Sequence, residues 1–209
     1  LVKEVDGSLA GQDAAYTRFI LQVVGPTTAQ PKTSIPTVEK KVQDINDSTD
    51  SAFGGLQDSG DFDINDSIPY TLTGTMPSTL ADYKTYKYIF HDELSEGLTY
   101  NGDAKVYLVN PTGEREITGN ASIDFTAASR ELTVSFTDVK TISGLTADSK
   151  IVVKYTATLN DKAKLGTAGN PNTVYLEYSN KPDAEANGTE TGKTPKDKVT
   201  VFTYQLVVN

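Results

Sequence analysis

The sequence predicts an all-β protein arranged as an antiparallel β-sandwich. Apolar and polar residues alternate with a period of two through most of the chain, as they do in strands with one buried and one solvated face. Clusters of Gly, Asp, Asn and Pro divide this pattern into nine runs, and such clusters are typical of the turns between strands. Nine strands are enough for two packed sheets.

The predicted strands follow one another along the whole chain, with little helix between them. They are residues 18–24, 37–45, 68–76, 84–94, 104–110, 131–139, 150–159, 172–180 and 199–208. Short helical connectors are predicted at 77–85, where Ser78 or Thr79 would be the N-cap, and at 159–172.

A domain boundary is predicted near the N-terminus. Residues 25–36 are rich in Pro and Thr and poor in apolar side chains, which is typical of a linker, and we place the linker at 29–35. We therefore expect 1–28 to be the C-terminal strand or strands of a preceding domain, and 36–209 to form one domain. Within that domain, the acidic stretch 44–67 and the polar stretch 180–198 are predicted to be surface loops.

Composition argues against several classes of function. The net charge of −9 leaves no positive field, so we expect no nucleic-acid partner, and the apolar runs are too short for membrane insertion in this segment. The chain has no cysteine and a single histidine, His91, which is predicted to face solvent. The sequence therefore offers no cysteine nucleophile, and an exposed His91 does not fit the role of the base in a Ser-His-Asp site.

We also expect no cofactor and no metal site. The stretch "DFDIND" begins like a calcium-binding loop, but Asp66 stands where that loop needs glycine and Leu72 where it needs glutamate. A solvated acidic loop is the default interpretation of this stretch, and a weaker surface calcium site stays open.

Three predicted strands each direct a polar side chain into an apolar column. Lys40 alternates with two valines, Asp92 extends an aromatic column, and Asn172 and Asn180 stand at the two ends of another apolar column. Each has an ordinary explanation on its own. The pattern alone favours a lysine whose ammonium reaches water, because a fully buried lysine is uncommon, and Asp and Asn are common where strands end in turns.

Taken together, these residues supply an amine, a carboxyl and an amide aimed at one core. Burial disfavours both the ammonium and the carboxylate, so the amine would be neutral and nucleophilic and the acid protonated. Attack of the lysine Nζ on the side-chain amide carbon of asparagine would then expel ammonia and leave an isopeptide bond between two strands.

Four separated stretches carry a family pattern, in this order: "IPTVEKKVQDIND" (35–47), "FDINDSIPYTLTGTMPSTLADYKTYKYIFHDELSEGLTYNG" (62–102), "GNPNTVYLEYSNKP" (169–182) and "KVTVFTYQLVVN" (198–209). They resemble the isopeptide-forming D2 domain of Gram-positive fimbrial shaft proteins, the backbone pilins that sortases polymerise. The resemblance covers residues 36–209. It implies an immunoglobulin-like, CnaA-type sandwich, attachment to the cell wall, and a Lys-Asn isopeptide bond with a nearby Asp or Glu.

The resemblance also implies roles for individual residues. Lys40, the first lysine of "EKKV", matches the lysine of the family, and Asp92 in "FHDEL" matches the acid, with Glu93 as the alternative. The amide falls on the strand "NTVYLEYSN", where Asn172 is preferred and Asn180 is the alternative. Asn172 is predicted to lie on the inward face of its strand, as Lys40 and Asp92 are on theirs.

Two further residues are weaker candidates. Asn209 is a rival for the amide, although it lies on the opposite face from the apolar column of its strand. Lys32 is the nearest equivalent of the lysine that such pilins present to a sortase, but Gln30 stands where the family has an aromatic residue. No sorting signal of the LPxTG type lies within the 209 residues.

The resulting hypothesis is a structural subunit of an extracellular, cell-wall-anchored fimbria rather than an enzyme, its chemistry being limited to one self-crosslinking event. Its expected partners are neighbouring pilin subunits and a pilus sortase. The alternative is a surface adhesin module that binds a host matrix protein or glycan through the loops 44–67 or 180–198.

Overall fold

The computed structural model describes residues 34–46, 51–182 and 190–204. The predicted strand 18–24, Lys32 and Asn209 lie outside these ranges, so the proposed boundary near the N-terminus stays a prediction. Within the described residues, most of the chain is strand, arranged in two sheets. The predicted all-β sandwich is confirmed.

Fourteen strands are present in the described ranges. They are β1 Val38–Asn46, β2 Ser51–Gln57, β3 Ser59–Asp61, β4 Ser67–Thr75, β5 Tyr88–Leu94, β6 Leu98–Tyr100, β7 Lys105–Asn110, β8 Gly113–Glu116, β9 Ser122–Thr126, β10 Glu131–Phe136, β11 Lys150–Leu159, β12 Asn170–Ser179, β13 Thr191–Lys193 and β14 Asp197–Phe202. No helix in the described part of the chain is long and apolar enough to cross a membrane.

Each sheet has seven strands. The first has the order β2-β1-β4-β11-β7-β8, with β6 also paired to β11, and the second has the order β3-β14-β12-β5-β10-β9, with β13 also paired to β12. The pairings are antiparallel except that of β14 with β3. The first sheet therefore contains the N-terminal strand β1, and β12 lies near the centre of the second sheet.

The core lies between the two sheets and follows the predicted alternation. In β4 and β5, every second residue is buried, and the same pattern runs through β10 and β12. The largest buried side chains are mainly aromatic, among them Tyr70, Tyr86, Tyr88, Phe90 and Tyr178. This alternation brings inward-facing residues of β1 and β12 to the same interior from opposite sheets.

The structure differs from the sequence prediction where strands bury little. The acidic stretch 44–67, predicted to be a loop, contains β2 and β3, and β2 pairs with β1. All four residues of β8 are exposed, as are most of β9. Such edge strands are held by backbone hydrogen bonds, so their side chains need no alternating pattern.

The predicted helical connectors are reduced to single turns. The first is the 3₁₀ turn Leu80–Asp82, whose N-cap Thr79 makes no side-chain capping hydrogen bond, and the second is Gly166–Ala168. Two further 3₁₀ turns occur at Thr118–Asn120 and Val139–Thr141.

Candidate functional site

Lys40 enters the core from the first sheet. Its position in β1 pairs with Leu72 of β4, and its side chain is fully buried. The interpretation that its ammonium reaches water is therefore wrong. On the side away from β4, the backbone N–H of Lys40 donates to Asp197 Oδ2 at 2.6 Å, so a carboxylate of β14 in the second sheet holds this point of β1.

Asp92 and Asn172 enter the same core from the second sheet. Asp92 of β5 pairs with Val174 of β12, and Asn172 lies two residues before Val174 on the same face. The two polar side chains are therefore diagonal neighbours on adjacent strands. Both are fully buried, as their strand parity predicts.

The structure brings the lysine and the acid into direct contact. Lys40 Nζ donates to Asp92 Oδ1 at 2.6 Å and to Oδ2 at 2.8 Å. The lysine and the amide share one neighbour, the hydroxyl of Tyr155: Lys40 Nζ donates to it at 3.0 Å and Asn172 Nδ2 at 2.6 Å. The same hydroxyl donates to Asp92 Oδ2 at 2.5 Å. We call Lys40, Asp92, Tyr155 and Asn172 the core polar cluster.

Tyr155 is the member of the cluster that the sequence prediction missed. It lies on β11, where Ile151, Val153 and Tyr155 are buried in alternation, so it was indistinguishable in sequence from an ordinary core aromatic residue. Its ring stacks on Tyr70 at a centroid distance of 5.4 Å and meets Tyr100 edge-on at 5.7 Å. Its hydroxyl on the inward face of a central strand could have identified Tyr155, because a buried tyrosine O–H usually finds a hydrogen-bond partner.

Aromatic faces surround the amine of Lys40. Its Nζ lies 4.9 Å from the centroid of the Tyr70 ring and 5.3 Å from that of Tyr155. At these distances a cation is attracted by the ring quadrupole. The rings also complete an apolar wall that excludes water from the amine.

Burial shifts the ionisation of the lysine and the acid toward each other. Burial lowers the pKa of Lys40 to about 8, against the opposing attraction of Asp92. Burial raises the pKa of Asp92, and the attraction and hydrogen bond of Lys40 oppose that shift. Because the two pKa values approach each other, transfer of a proton from the ammonium to the carboxylate is easier here than in water.

The amide of Asn172 is bonded on one side only. Its Nδ2 donates to Tyr155, whereas its carbonyl oxygen Oδ1 is buried and has no hydrogen-bond partner among the described residues. A buried carbonyl oxygen without a donor is unfavourable by about 1–3 kcal/mol. This oxygen is the atom on which negative charge would develop if a nucleophile attacked the amide carbon.

The other candidates within the described residues, Glu93 and Asn180, do not join the cluster. Glu93 is exposed on the opposite face of β5. Asn180 is buried but follows the far end of β12, where the backbone N–H of Ser179 bonds to the carbonyl of Lys87. It lies eight positions from Asn172, roughly 26 Å away along an extended chain.

Comparison with known proteins identifies the class of this fold and then its family. The two-sheet architecture is that of the immunoglobulin-like domains of pilins. The family model of the Gram-positive pilin backbone subunit 2, Cna-B-like domain, matches residues 64–182. Because the match covers more than half of the chain, the chain belongs to this family. This family has a Cna-B-like domain, so the CnaA-type subtype stays a prediction.

A curated relative agrees with this family. The trypsin-resistant surface T6 protein of Streptococcus pyogenes serotype M6 is 27% identical over 199 residues, which are 86% of this chain and 34% of that protein. The chain therefore spans about a third of the length of this relative.

Solved structures of pilins share the fold. The major pilin BcpA of Bacillus cereus superposes with a TM-score of 0.60 at 17% identity, over 82% of this chain and 41% of that one. The C-terminal fragment of the major pilin GBS80 of Streptococcus agalactiae gives 0.59 at 22% identity, over 81% and 56%. The T6 backbone pilin of S. pyogenes serotype M6 gives 0.55 at 22% identity, over 82% and 36%. At these identities the likeness shows the fold.

Proposed function

We propose that this chain is one module of a structural subunit that forms the shaft of a Gram-positive surface pilus. Family membership supports this proposal, as does the fold shared with major pilins. The subunit would lie outside the cell and be anchored to the wall. Its function is mechanical, and the chain catalyses no turnover reaction.

We further propose that the module crosslinks itself through an isopeptide bond between Lys40 and Asn172, promoted by Asp92. The observation that carries this proposal is the meeting of a buried amine, a buried carboxyl and a buried amide around one hydroxyl. A role in stability alone does not account for this acid-base pair, because a buried ion pair contributes little net stability to an apolar core.

The reaction is an amide exchange that needs no external reagent. The ammonium of Lys40 first gives a proton to Asp92, which leaves a neutral amine and a carboxylic acid. The amine lone pair attacks Cγ of Asn172, the new N–C bond forms, and the old Cγ–Nδ2 bond breaks. The amine loses one proton, the departing nitrogen gains one, and ammonia leaves. Asp92 gives one proton to the departing nitrogen and receives one from the attacking nitrogen, so it ends as the carboxylic acid that the first transfer produced and acts as an acid-base catalyst.

The position of the bond suits a load-bearing module. Lys40 lies in β1 of the first sheet, near the start of the described domain, and Asn172 lies in β12 of the second sheet. A bond between them joins the two sheets. It also prevents the 131 residues between them from extending under force, as a disulfide would in a chain that has no cysteine.

Intact mass tests this proposal most directly. We expect the purified chain to weigh one ammonia less than its sequence, and proteolysis to release a branched peptide that contains Lys40 and Asn172. Lys40→Ala should restore the full mass. Lys41→Ala is the matched control, because Lys41 is the next residue but forms a surface ion pair with Asp58 at 2.6 Å; it should leave the deficit unchanged. A full-mass wild-type chain would refute the crosslink.

We propose a pilus sortase and neighbouring pilin subunits as partners, with Lys32 as the acceptor amine. Lys32 lies outside the described residues, so this assignment rests on its position in the sequence. A pilus sortase supplied with an LPxTG peptide should label the chain at Lys32, and labelling that persists in Lys32→Ala would reassign the acceptor. The adhesin alternative is not favoured, because the family model and the solved structures described above are those of pilins.

A further inference from the structure

The hydroxyl of Tyr155 contacts every group that the proposed crosslinking reaction changes. It lies 3.0 Å from the attacking Lys40 Nζ, 2.6 Å from the departing Asn172 Nδ2, and 2.5 Å from Asp92 Oδ2. We propose that Tyr155 is a catalytic residue that relays the proton of Asp92 to the departing nitrogen of Asn172. This inference rests on the proposed isopeptide bond and adds to it the path of the proton.

Asp92 does not contact the amide of Asn172 in a way that would allow direct proton transfer. Asp92 hydrogen-bonds to Lys40 and to Tyr155, and among the described residues it has no hydrogen bond to Asn172. Tyr155 is the group that touches both. A general acid must lie within hydrogen-bond distance of the atom it protonates, and the hydroxyl meets this condition at Nδ2 whereas the carboxyl does not.

The relay balances without an added reagent. In the neutral pair, Nζ first bonds to Cγ, and the lone pair of Nδ2 is then no longer shared with the carbonyl and can accept a proton. Protonated Asp92 donates to the oxygen of Tyr155 while Tyr155 donates its own proton to Nδ2, so both hydrogen bonds reverse the direction that they have in the unreacted cluster. The Cγ–Nδ2 electron pair leaves with that nitrogen as ammonia. The surplus proton on Lys40 Nζ passes to the carboxylate of Asp92, which Nζ already touches through both oxygens. Tyr155 and Asp92 are both regenerated.

The surroundings of Tyr155 fix it for this role. The ring is held between Tyr70 and Tyr100, so the hydroxyl has little freedom to leave the cluster. Burial raises the pKa of Tyr155 well above its ordinary value, so the group stays a hydroxyl. It therefore passes protons through rather than acting as a permanent phenolate base.

The rate of crosslinking in newly made chains tests the relay. The full 209-residue chain is synthesised in a cell-free system with a short labelling pulse, and the loss of ammonia is followed by intact mass. Tyr155→Phe keeps the ring and removes the hydroxyl. We expect this variant to form the bond at least about 10²-fold more slowly than the wild type, because it lacks the general acid. Tyr83→Phe is the matched control: Tyr83 is buried and its hydroxyl has no hydrogen-bond partner among the described residues. Its rate should equal that of the wild type.

The outcomes separate the relay from the crosslink. A wild-type chain of full mass refutes the crosslink itself. A wild-type chain that loses ammonia, together with a folded Tyr155→Phe chain that loses it at the same rate, refutes the relay and leaves the crosslink standing. If the Phe variant does not fold, as judged by near-ultraviolet circular dichroism, a fluorinated tyrosine is placed at 155. It keeps the volume and the hydroxyl but makes that hydroxyl more acidic, so a changed rate supports the relay and an unchanged rate overturns it.

Discussion

Removing the amide of Asn172 should destabilise the domain by far more than the contacts of that side chain explain. Compared with the unreacted cluster, Asn172→Ala deletes one hydrogen bond, to Tyr155, and leaves the ion pair of Lys40 and Asp92 intact. If the crosslink forms, the variant also loses the closure of the segment between residues 40 and 172, which are 132 positions apart. Closing a loop of that length contributes about 5 kcal/mol in the chain-entropy model.

This free energy corresponds to a large shift in melting temperature. For a domain of this size, each kcal/mol changes Tm by roughly 2–4 °C, so the closure term alone predicts a fall of about 10–20 °C. The space left by the side chain of residue 172 adds to it. Thermal unfolding followed by circular dichroism, combined with intact mass on the same samples, measures both effects together.

Asn170→Ala is a matched control on the same strand. Asn170 is buried, two residues before Asn172 and on the same face, and it makes more hydrogen bonds: with the backbone N–H and C=O of Lys164 and with the C=O of Val201. It should therefore show the ordinary destabilisation of losing a buried asparagine while retaining the mass deficit. If Asn172→Ala lowers Tm no more than Asn170→Ala does, the reasoning about loop closure is wrong.

Three further outcomes are expected. Asp92→Ala should keep the full sequence mass although both bonding partners remain, because the amine then has no acceptor for its proton; a mass deficit in this variant would remove Asp92 from the reaction. In Asn172→Ala, Lys40 stays an amine whose pKa is lowered by burial to about 8 from 10.5. The unfolded chain then binds more protons than the folded one, so stability should rise with pH across that interval, and denaturant titrations should show no such contribution in Asn172→Ala/Lys40→Met. Residues 36–209 produced alone should melt cooperatively, and an insoluble product would place 1–28 within this sandwich.

The period-two pattern was sufficient to predict the sandwich and the direction of the key side chains. Parity placed Lys40, Asp92 and Asn172 toward the core, and all three are buried there. Parity cannot show which inward residues meet across the two sheets, because that depends on strand order and register. The complementary chemistry of an amine, a carboxyl and an amide suggested the grouping of these three residues, and the family resemblance supported it.

The parts that the sequence did not predict have identifiable physical causes. Residues 54–57 of β2 are exposed, as are all of β8 and most of β9, so the hydrophobic pattern that predicts strands was absent there. Tyr155 was missed for the opposite reason: a buried tyrosine in an apolar column looks like any other core residue. The partners of its hydroxyl on β5 and β12 belong to the second sheet, so they are known only once the packing of the two sheets is known.

The energetics of the core polar cluster favour chemistry over packing as its purpose. Burying the charges of Lys40 and Asp92 opposes folding, and apolar residues of similar volume in place of such a pair are often neutral or stabilising by about 1–4 kcal/mol. The unpartnered carbonyl oxygen of Asn172 adds a further unfavourable contribution. An isopeptide bond would remove the charge on the lysine, and the closed loop would stabilise the product. The cluster is therefore unfavourable before the bond forms and favourable afterwards, which is the free-energy profile expected of a site that reacts once.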